Sequence, residues 1–325
     1  AGMADSVTMA PIVRSSVLTC AADQAAMQPW IDMECFQLGR GKTVCRMETI
    51  DLGSQQVVHE DQAASVQKIG KTPANLCTLS YCTPDQAFRF SDQGINDPDT
   101  VFFLPEHTCF DLYVPAGTRT TYISFDQAAF IREARILNPR RWEEAPEAIR
   151  SWTAPSKGGL AADIMAFTEQ AAPERGMPCD NAMIRDLLLQ SALQVAAQSE
   201  GFEGLSRAAR ARAFAVCSLA RAYIESCVES DRLPTIVDIC AATGVSQRRL
   251  QYAFHEYIGM SPNAYLRLLR LNRARAALAA ASPRQTTVTR VAMQHGFLHF
   301  GRFSGDYRRI FGETPSVTLA ACRRN

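Results

Sequence analysis

One local pattern occurs twice in this chain and constrains its fold more than any other feature: an amphipathic helix, a glycine turn and a second helix. Residues 235–246 read TIVDICAATGVS, an apolar-faced helix followed by Gly244 and by Ser246 in N-cap position, and a helix at 247–257 comes next. From Thr287, 52 positions beyond Thr235, the run TVTRVAMQHGF repeats the helix and turn, and 302–311 supplies its partner helix. The two copies also end alike. Gly259-Met260-Ser261-Pro262 and Gly312-Glu313-Thr314-Pro315 each close one helix with Gly and start another with a hydroxyl cap and Pro at the first position. Between the copies, 262–281 is rich in Leu, Arg and Ala with no breaker. Twenty helical residues span roughly 30 Å, close to the ~34 Å between successive major grooves on one face of B-DNA. A lone helix pair of this kind is an ordinary structural unit, but two at this separation point to a pair of groove readers on one rod.

Charge divides the chain in the same place. Residues 201–325 hold 18 arginines, no lysine and 8 acidic residues, a formal +10, and the remainder carries −9. Such asymmetry fits a polyanion partner for the C-terminal part; solvated helices in an arginine-rich sequence are the bland alternative. Apolar runs fall far short of the roughly 20 residues of a membrane span. No basic segment with an apolar run and a small-residue cleavage site follows Met3, so a cytoplasmic protein is expected. The 11 cysteines are scattered from Cys20 to Cys322 without a C-x-x-C pair, which reads as reduced, mostly buried thiols and neither a metal site nor a cofactor.

The residues at about 212–321 resemble the AraC/XylS transcription regulators. The likeness rests on Gly244-Val245-Ser246, Leu250, Phe254, Gly259-Met260-Ser261-Pro262, Tyr265, Arg270-Leu271, Ala274, Gly296-Phe297, Phe311-Gly312 and Thr314-Pro315-Ser316. It implies a double helix-turn-helix that binds double-stranded promoter DNA, acts beside RNA polymerase as an activator, and follows a variable N-terminal domain that binds a small-molecule effector or makes a homodimer. The chain departs from the pattern in its second reader. Gly301 stands where Ser is usual, and Gly305-Asp306 adds a flexible residue and an anion, so less sequence specificity is expected there.

Helix faces assign roles. In the first reader Leu250, Phe254 and Ile258 form the inward stripe, which leaves Gln247, Arg248, Gln251, Tyr252 and His255 facing out. Gln pairs with adenine and Arg with guanine through two hydrogen bonds each, so Gln247, Arg248 and Gln251 are the expected base readers, with Ser246 beside them and Arg249 on phosphate. In the second reader Phe297, Phe303, Tyr307 and Phe311 are core, while His299, Arg302 and Asp306 face out and Arg308 adds a DNA contact. His295 and His299 lie four apart, but the turn at Gly296 breaks the helical face a metal pair would need.

The N-terminal half reads differently. From Cys35 to about Tyr122, β-rich runs such as 44–52, 57–59, 76–81, 101–104 and 121–125 alternate with turn signals, which suggests an antiparallel barrel or sandwich. After Asp126 helical periodicity takes over, with helices at 160–171 and 181–198. Met183, Ile184, Leu187, Leu188, Ala192 and Val195 share a stripe that either packs on the barrel or meets a second copy. The linker is placed at 199–204. The whole is an α+β chain: a cupin-like antiparallel β-barrel over 1–155 for the effector, a helical dimerisation segment over 156–204, and an all-α double helix-turn-helix over 205–325.

His59 and His107 are isolated, unlike the clustered ligands of a cupin enzyme, so catalysis is not expected. A cupin-like small-molecule-binding protein or enzyme using the helices as scaffold is the alternative. Candidate effector residues are Arg40, Lys42 and Arg46, at even spacing on one face of a regular strand, and Arg89, Ser91 and Asp92 in a polar turn. Arginine can grip a phosphate or stack on a purine. The two segments are similar in part to the PilZ receptors, whose paired arginines and later Ser-x-x-Gly motif imply cyclic di-GMP, although Lys42 stands where that family has Arg. Other metabolites, or an exposed strand without a ligand, fit the same residues.

Overall fold

The computed structural model describes residues 12–95, 97–139, 141–171, 181–197, 207–230, 232–297 and 299–321. In chain order the elements are β1 (Ile12–Leu18), α1 (Ala21–Ala26), β2 (Asp32–Gln37), β3 (Cys45–Asp51), β4 (Gln56–Gln62), β5 (Val66–Lys71), β6 (Leu76–Cys82), β7 (Arg89–Phe90), β8 (Gln93–Gly94), β9 (Thr100–Leu104), β10 (Cys109–Val114) and β11 (Arg119–Asp126). Next come α2 (Gln127–Leu137), β12 (Arg150–Thr153), α3 (Lys157–Ala171) and α4 (Asn181–Ala197). The C-terminal helices are α5 (Arg207–Glu229), α6 (Ile236–Thr243), α7 (Gln247–Ile258), α8 (Pro262–Ala280), α9 (Val288–Gln294), α10 (Phe300–Phe311) and α11 (Pro315–Ala321). The linker expected at 199–204 lies outside the described residues. No described helix is long and apolar enough to cross a membrane.

The expected barrel is instead two stacked sheets with free edges. One has seven strands in the order β1-β3-β4-β11-β6-β9-β12, the other five in the order β2-β5-β10-β7-β8. Closure fails at β7 and β8, which are two residues each and too short to carry pairing onward to the other sheet. The link between β8 and β12 is a side-chain bond, Ser151 Oγ to Gln93 Oε1 at 2.8 Å.

Alternation along the strands fixes four layers. Val58, Met47, Phe102, Phe110 and Val66 point between the sheets. Ile50, Val57, Leu79, Ile123 and Phe125 point the other way, into a core closed by α2, α3 and α4. The stripe predicted for α4 divides: Ile184, Leu188, Ala192 and Val195 are buried in that core, and Met183 and Leu187 are exposed. Two indoles fasten the end of α4, since Trp142 Nε1 donates to the Ala196 carbonyl and Trp152 Nε1 to that of Val195, both at 3.1 Å. Those carbonyls belong to the last turn of the helix and have no partner within it. Phe36, Leu38 and Tyr113, on the outer face of the five-stranded sheet, join the core of α5 to α8.

The helical repeat is capped at Ser246 and Ser261 as its sequence foretells, and at Thr235 and Thr287 besides. Thr235 and Asp238 make a capping box on α6; Ser246, Ser261 and Thr287 each accept the amide three residues on to start α7, α8 and α9. Gly244, Gly259 and Gly312 end helices in the left-handed region, where a side chain would be strained. Gly305 needs no such freedom. It sits inside α10 with open space where a Cβ would be. Replacing it with Ala should raise stability by about 0.5–1 kcal/mol through lost unfolded-state entropy; an unchanged or lower midpoint in urea would contradict this.

Candidate nucleic-acid interface

Both reader helices expose their polar faces. On α7, Leu250, Ala253, Phe254, Tyr257 and Ile258 are buried, while Gln247, Arg248, Gln251, Tyr252 and His255 are exposed along one face, as the helix period requires. Arg249 is exposed beside them, and Ser246 spends its hydroxyl on the Arg249 amide at 3.3 Å. On α10 the rings of Phe303, Tyr307 and Phe311 pack tilted and edge-to-face at helical spacing, with centroids 5.7 and 4.7 Å apart. His299, Arg302 and Arg308 are exposed.

Asp306 does not face out as expected. It is buried, and its carboxylate bridges Arg267 of α8 and Arg309, the latter at 2.7 Å. The helix period put Asp306 near Arg302, but Arg267 on the rod draws the carboxylate inward, where desolvation is offset by two guanidiniums. The anion therefore couples the second reader to the rod and leaves the outer face of α10 cationic. Gly301 and Gly305 leave that face without side chains at two of its exposed positions.

The sheet-rich lobe grips the helical lobe through polar contacts as well as the shared core. Tyr265 Oη on α8 donates to Gln67 Oε1 at 2.6 Å, and Gln67 Nε2 donates to Asp111 at 2.9 Å. Tyr257 Oη on α7 donates to the Asp111 carbonyl at 3.0 Å, and Arg221 on α5 stands 3.6 Å from the Asp111 carboxylate. Burial pushes the Asp111 carboxyl above the ordinary carboxylate range, with Arg221 and the Gln67 bond opposing that shift. Farther along, Asn272 and Gln37 exchange two bonds at 2.9 and 3.0 Å, and Gly41 N donates to the Ile310 carbonyl at 2.9 Å. Both helix-turn-helix units are thus fastened to one lobe.

The six candidate effector residues are not brought together. Residues 38–44 are turn and loop, so Arg40 and Lys42 do not share the strand with Arg46: β3 begins only at Cys45. Lys42 lies against Gly312 at the end of α10, where a Cβ on the glycine would come within 2.6 Å of it. Arg46 is exposed on the seven-stranded sheet. Arg89 is on β7 of the other sheet, bonded to the Phe88 carbonyl at 2.8 Å; Ser91 is buried and pairs with the Asp111 backbone; Asp92 accepts from Gln93 Nε2.

What the sequence did not single out is Lys68, fully buried between the sheets, with Nζ 2.5 Å from both oxygens of Glu60. Gln28 and Thr120 also donate to Glu60. A cavity of about 50 Å³ beside this pair is walled by Phe88, Phe90, Phe102 and Phe110, room for a few waters at most. Among the described residues no cluster of three metal-ligating side chains occurs. Removing the Tyr265 hydroxyl should expose the value of the lobe contact: Tyr265→Phe leaves Gln67 Oε1 without its donor and should cost about 1–3 kcal/mol in urea unfolding, whereas no change would mean that this contact contributes nothing.

Comparison with known proteins bears on the C-terminal lobe. Residues 239–321 match the family described as "Helix-turn-helix domain". The "Probable thc operon regulatory protein" of Rhodococcus erythropolis is 36% identical over 104 residues, 32% of this chain and 31% of that protein. The "XylDLEGF operon transcriptional activator" of Pseudomonas putida is 40% identical over 80 residues, 25% of each chain. The chain thus matches between a quarter and a third of the length of these curated relatives. Among solved structures, the AraC-like transcriptional activator CuxR aligns over 82% of this chain and 95% of its own, with 16% identity and a TM-score of 0.40, a loose superposition. Residues 239–321 therefore match a helix-turn-helix domain, and the relatives to which part of this chain is similar are operon regulators.

Proposed function

We propose that this protein is a DNA-binding transcriptional regulator whose sheet-rich lobe takes a small effector and holds the DNA-binding lobe in place. The observation that carries the reading is the exposure of two polar reader faces, on α7 and α10, joined by the 19-residue helix α8. At 1.5 Å per residue that helix sets a spacing of nearly 30 Å, matched to neighbouring major grooves. Gln247, Arg248 and Gln251 read bases. Arg249 contacts phosphate, with Ser246, Tyr252 and His255 at the rim of the groove. The second reader supplies mainly backbone attraction through His299, Arg302 and Arg308, because two exposed positions of α10 are glycines.

The finer parts of the reading follow the same logic. Met183 and Leu187 on α4 are exposed apolar side chains suited to a homodimer contact. Activation would come from placing the protein beside RNA polymerase at a promoter, in the cytoplasm. No catalytic step enters. Cyclic di-GMP stands in this reading as a probe, since the residues that suggested it are separated; absence of heat at micromolar ligand in a calorimetric titration would remove it.

Two arginines adjacent in sequence separate the assigned roles. Arg248→Ala should lose preference for a selected site over random duplex by about 1–3 kcal/mol. Arg249→Ala should weaken both and flatten the slope of log affinity against log salt by about 0.9. Identical behaviour of the two proteins in fluorescence anisotropy would contradict the assignment.

A further inference from the structure

The helix-side face of the seven-stranded sheet changes character along its strands. The row of paired residues Ile50, Val57, Ile123 and Leu79 is apolar and closed by helices. The next row is Glu48, His59, Thr121 and Tyr81; the one after is Arg46, Asp61 and Arg119. Over these last two rows α3 stands away from the sheet and leaves a groove of about 690 Å³, within the size range of small-molecule sites. Its far wall is Lys157, Ala161, Met165 and Thr168.

The floor is built. His59 Nδ1 lies 3.0 Å from Thr121 Oγ1 and its Nε2 3.4 Å from Thr168 Oγ1, so the ring ties sheet to helix. Burial holds this imidazole below its usual range, which keeps it neutral. The mouth is cationic. Arg46 and Arg119 flank Asp61 on the two neighbouring strands, roughly 10 Å apart at two strand spacings. Among the described residues neither guanidinium lies within 4.0 Å of a carboxylate oxygen, whereas Lys157 on the α3 wall spends its ammonium on the Pro98 carbonyl and Asp99. Asp61 lies between the two arginines and Glu48 lines the groove in the adjoining row, while Glu60 is held by Lys68; both arginines are exposed on a concave surface that also offers Tyr81, Met165 and Pro84 as apolar wall. Arginine forks suit planar anionic groups, and such a wall suits a ring or short chain.

We propose that this groove binds a small organic anion, its phosphate or carboxylate held by Arg46 and Arg119 and its apolar part lying on Tyr81 and Met165. The inference deepens the regulator reading, on which its regulatory meaning rests, by giving the effector lobe a ligand site outside the space between the sheets. A physical route leads onward. His59 and Asp61 bracket Glu60, which bonds Lys68 on the other sheet, and the residue before that lysine, Gln67, accepts from Tyr265 of the rod.

The test is calorimetric titration of the full chain with phenyl phosphate, phenylacetate and inorganic phosphate, beside an Arg46→Gln/Arg119→Gln variant. At least one organic anion should bind saturably and at least tenfold more tightly than inorganic phosphate, and the double variant should lose tenfold or more; which of the two binds identifies the head group. No saturable binding of either organic probe, binding of inorganic phosphate as tight as theirs, or undiminished affinity in the variant would overturn the proposal. Both side chains are exposed, so an unchanged unfolding midpoint shows that the variant is folded. Duplex affinity measured on the same preparations keeps the two readings apart. Retained DNA binding without anion binding sinks the groove alone, and absent DNA binding by the unaltered protein sinks the regulator.

Discussion

Lys68 and Glu60 hold the two sheets together in a place closed to bulk solvent. Taking the pair out of solvent is costly, and their mutual attraction repays that cost only because Gln28 and Thr120 satisfy further lone pairs of the carboxylate. Replacing one partner would leave a lone charge among phenyl rings. The pair therefore fixes the offset of β5 against β4, and β5 is the strand that presents Gln67 to Tyr265 on its opposite face. That buried contact thereby joins the Tyr257–Asp111, Asn272–Gln37 and Gly41–Ile310 bonds in setting the position of the rod.

A lobe attached in this way is held and not merely tethered. Asp111 and Tyr113 alternate with Phe110 and Leu112 along β10, so one strand carries the wall of the inter-sheet cavity and the seat of the helices on opposite sides. The contact between lobes combines an apolar core with a few polar bonds, several of them to main-chain carbonyls. Such a surface tolerates small shifts of side chains poorly, because the bonds of Tyr265 to Gln67, Tyr257 to the Asp111 carbonyl and Asn272 to Gln37 are each between specific atoms. A ligand that prefers one setting of the strands would bias the setting of the helices, by no more than its own difference in affinity for the two.

The helical lobe was legible in the sequence because its signals are local. Ser246 and Ser261 cap where their types and spacing say they should, and Gly244, Gly259 and Gly312 mark the stops, whereas Thr235 and Thr287, read as part of their helices, prove to be caps. Asp306 was misread because its partner Arg267 is 39 positions away on another helix, beyond the reach of a helical wheel. The sheet lobe was harder. β5 reads VQKIGK, with Gln67 and Lys68 at buried positions, and no local rule tells a buried lysine from a solvated one. The presumed regular strand through Arg40, Lys42 and Arg46 failed because the chain turns before Cys45 to reach α10. Arg119, the neighbour that gives Arg46 its meaning in the groove, is close only through pairing of three strands.

Protection mapping of a selected duplex bound by the full chain tests the central claim most directly. The account predicts two protected major-groove segments on the same face of the DNA, about 10 to 10.5 base pairs apart for each bound chain, with the stronger base-specific protection under the α7 end. A single protected segment per chain, or two on opposite faces of the duplex, would contradict it.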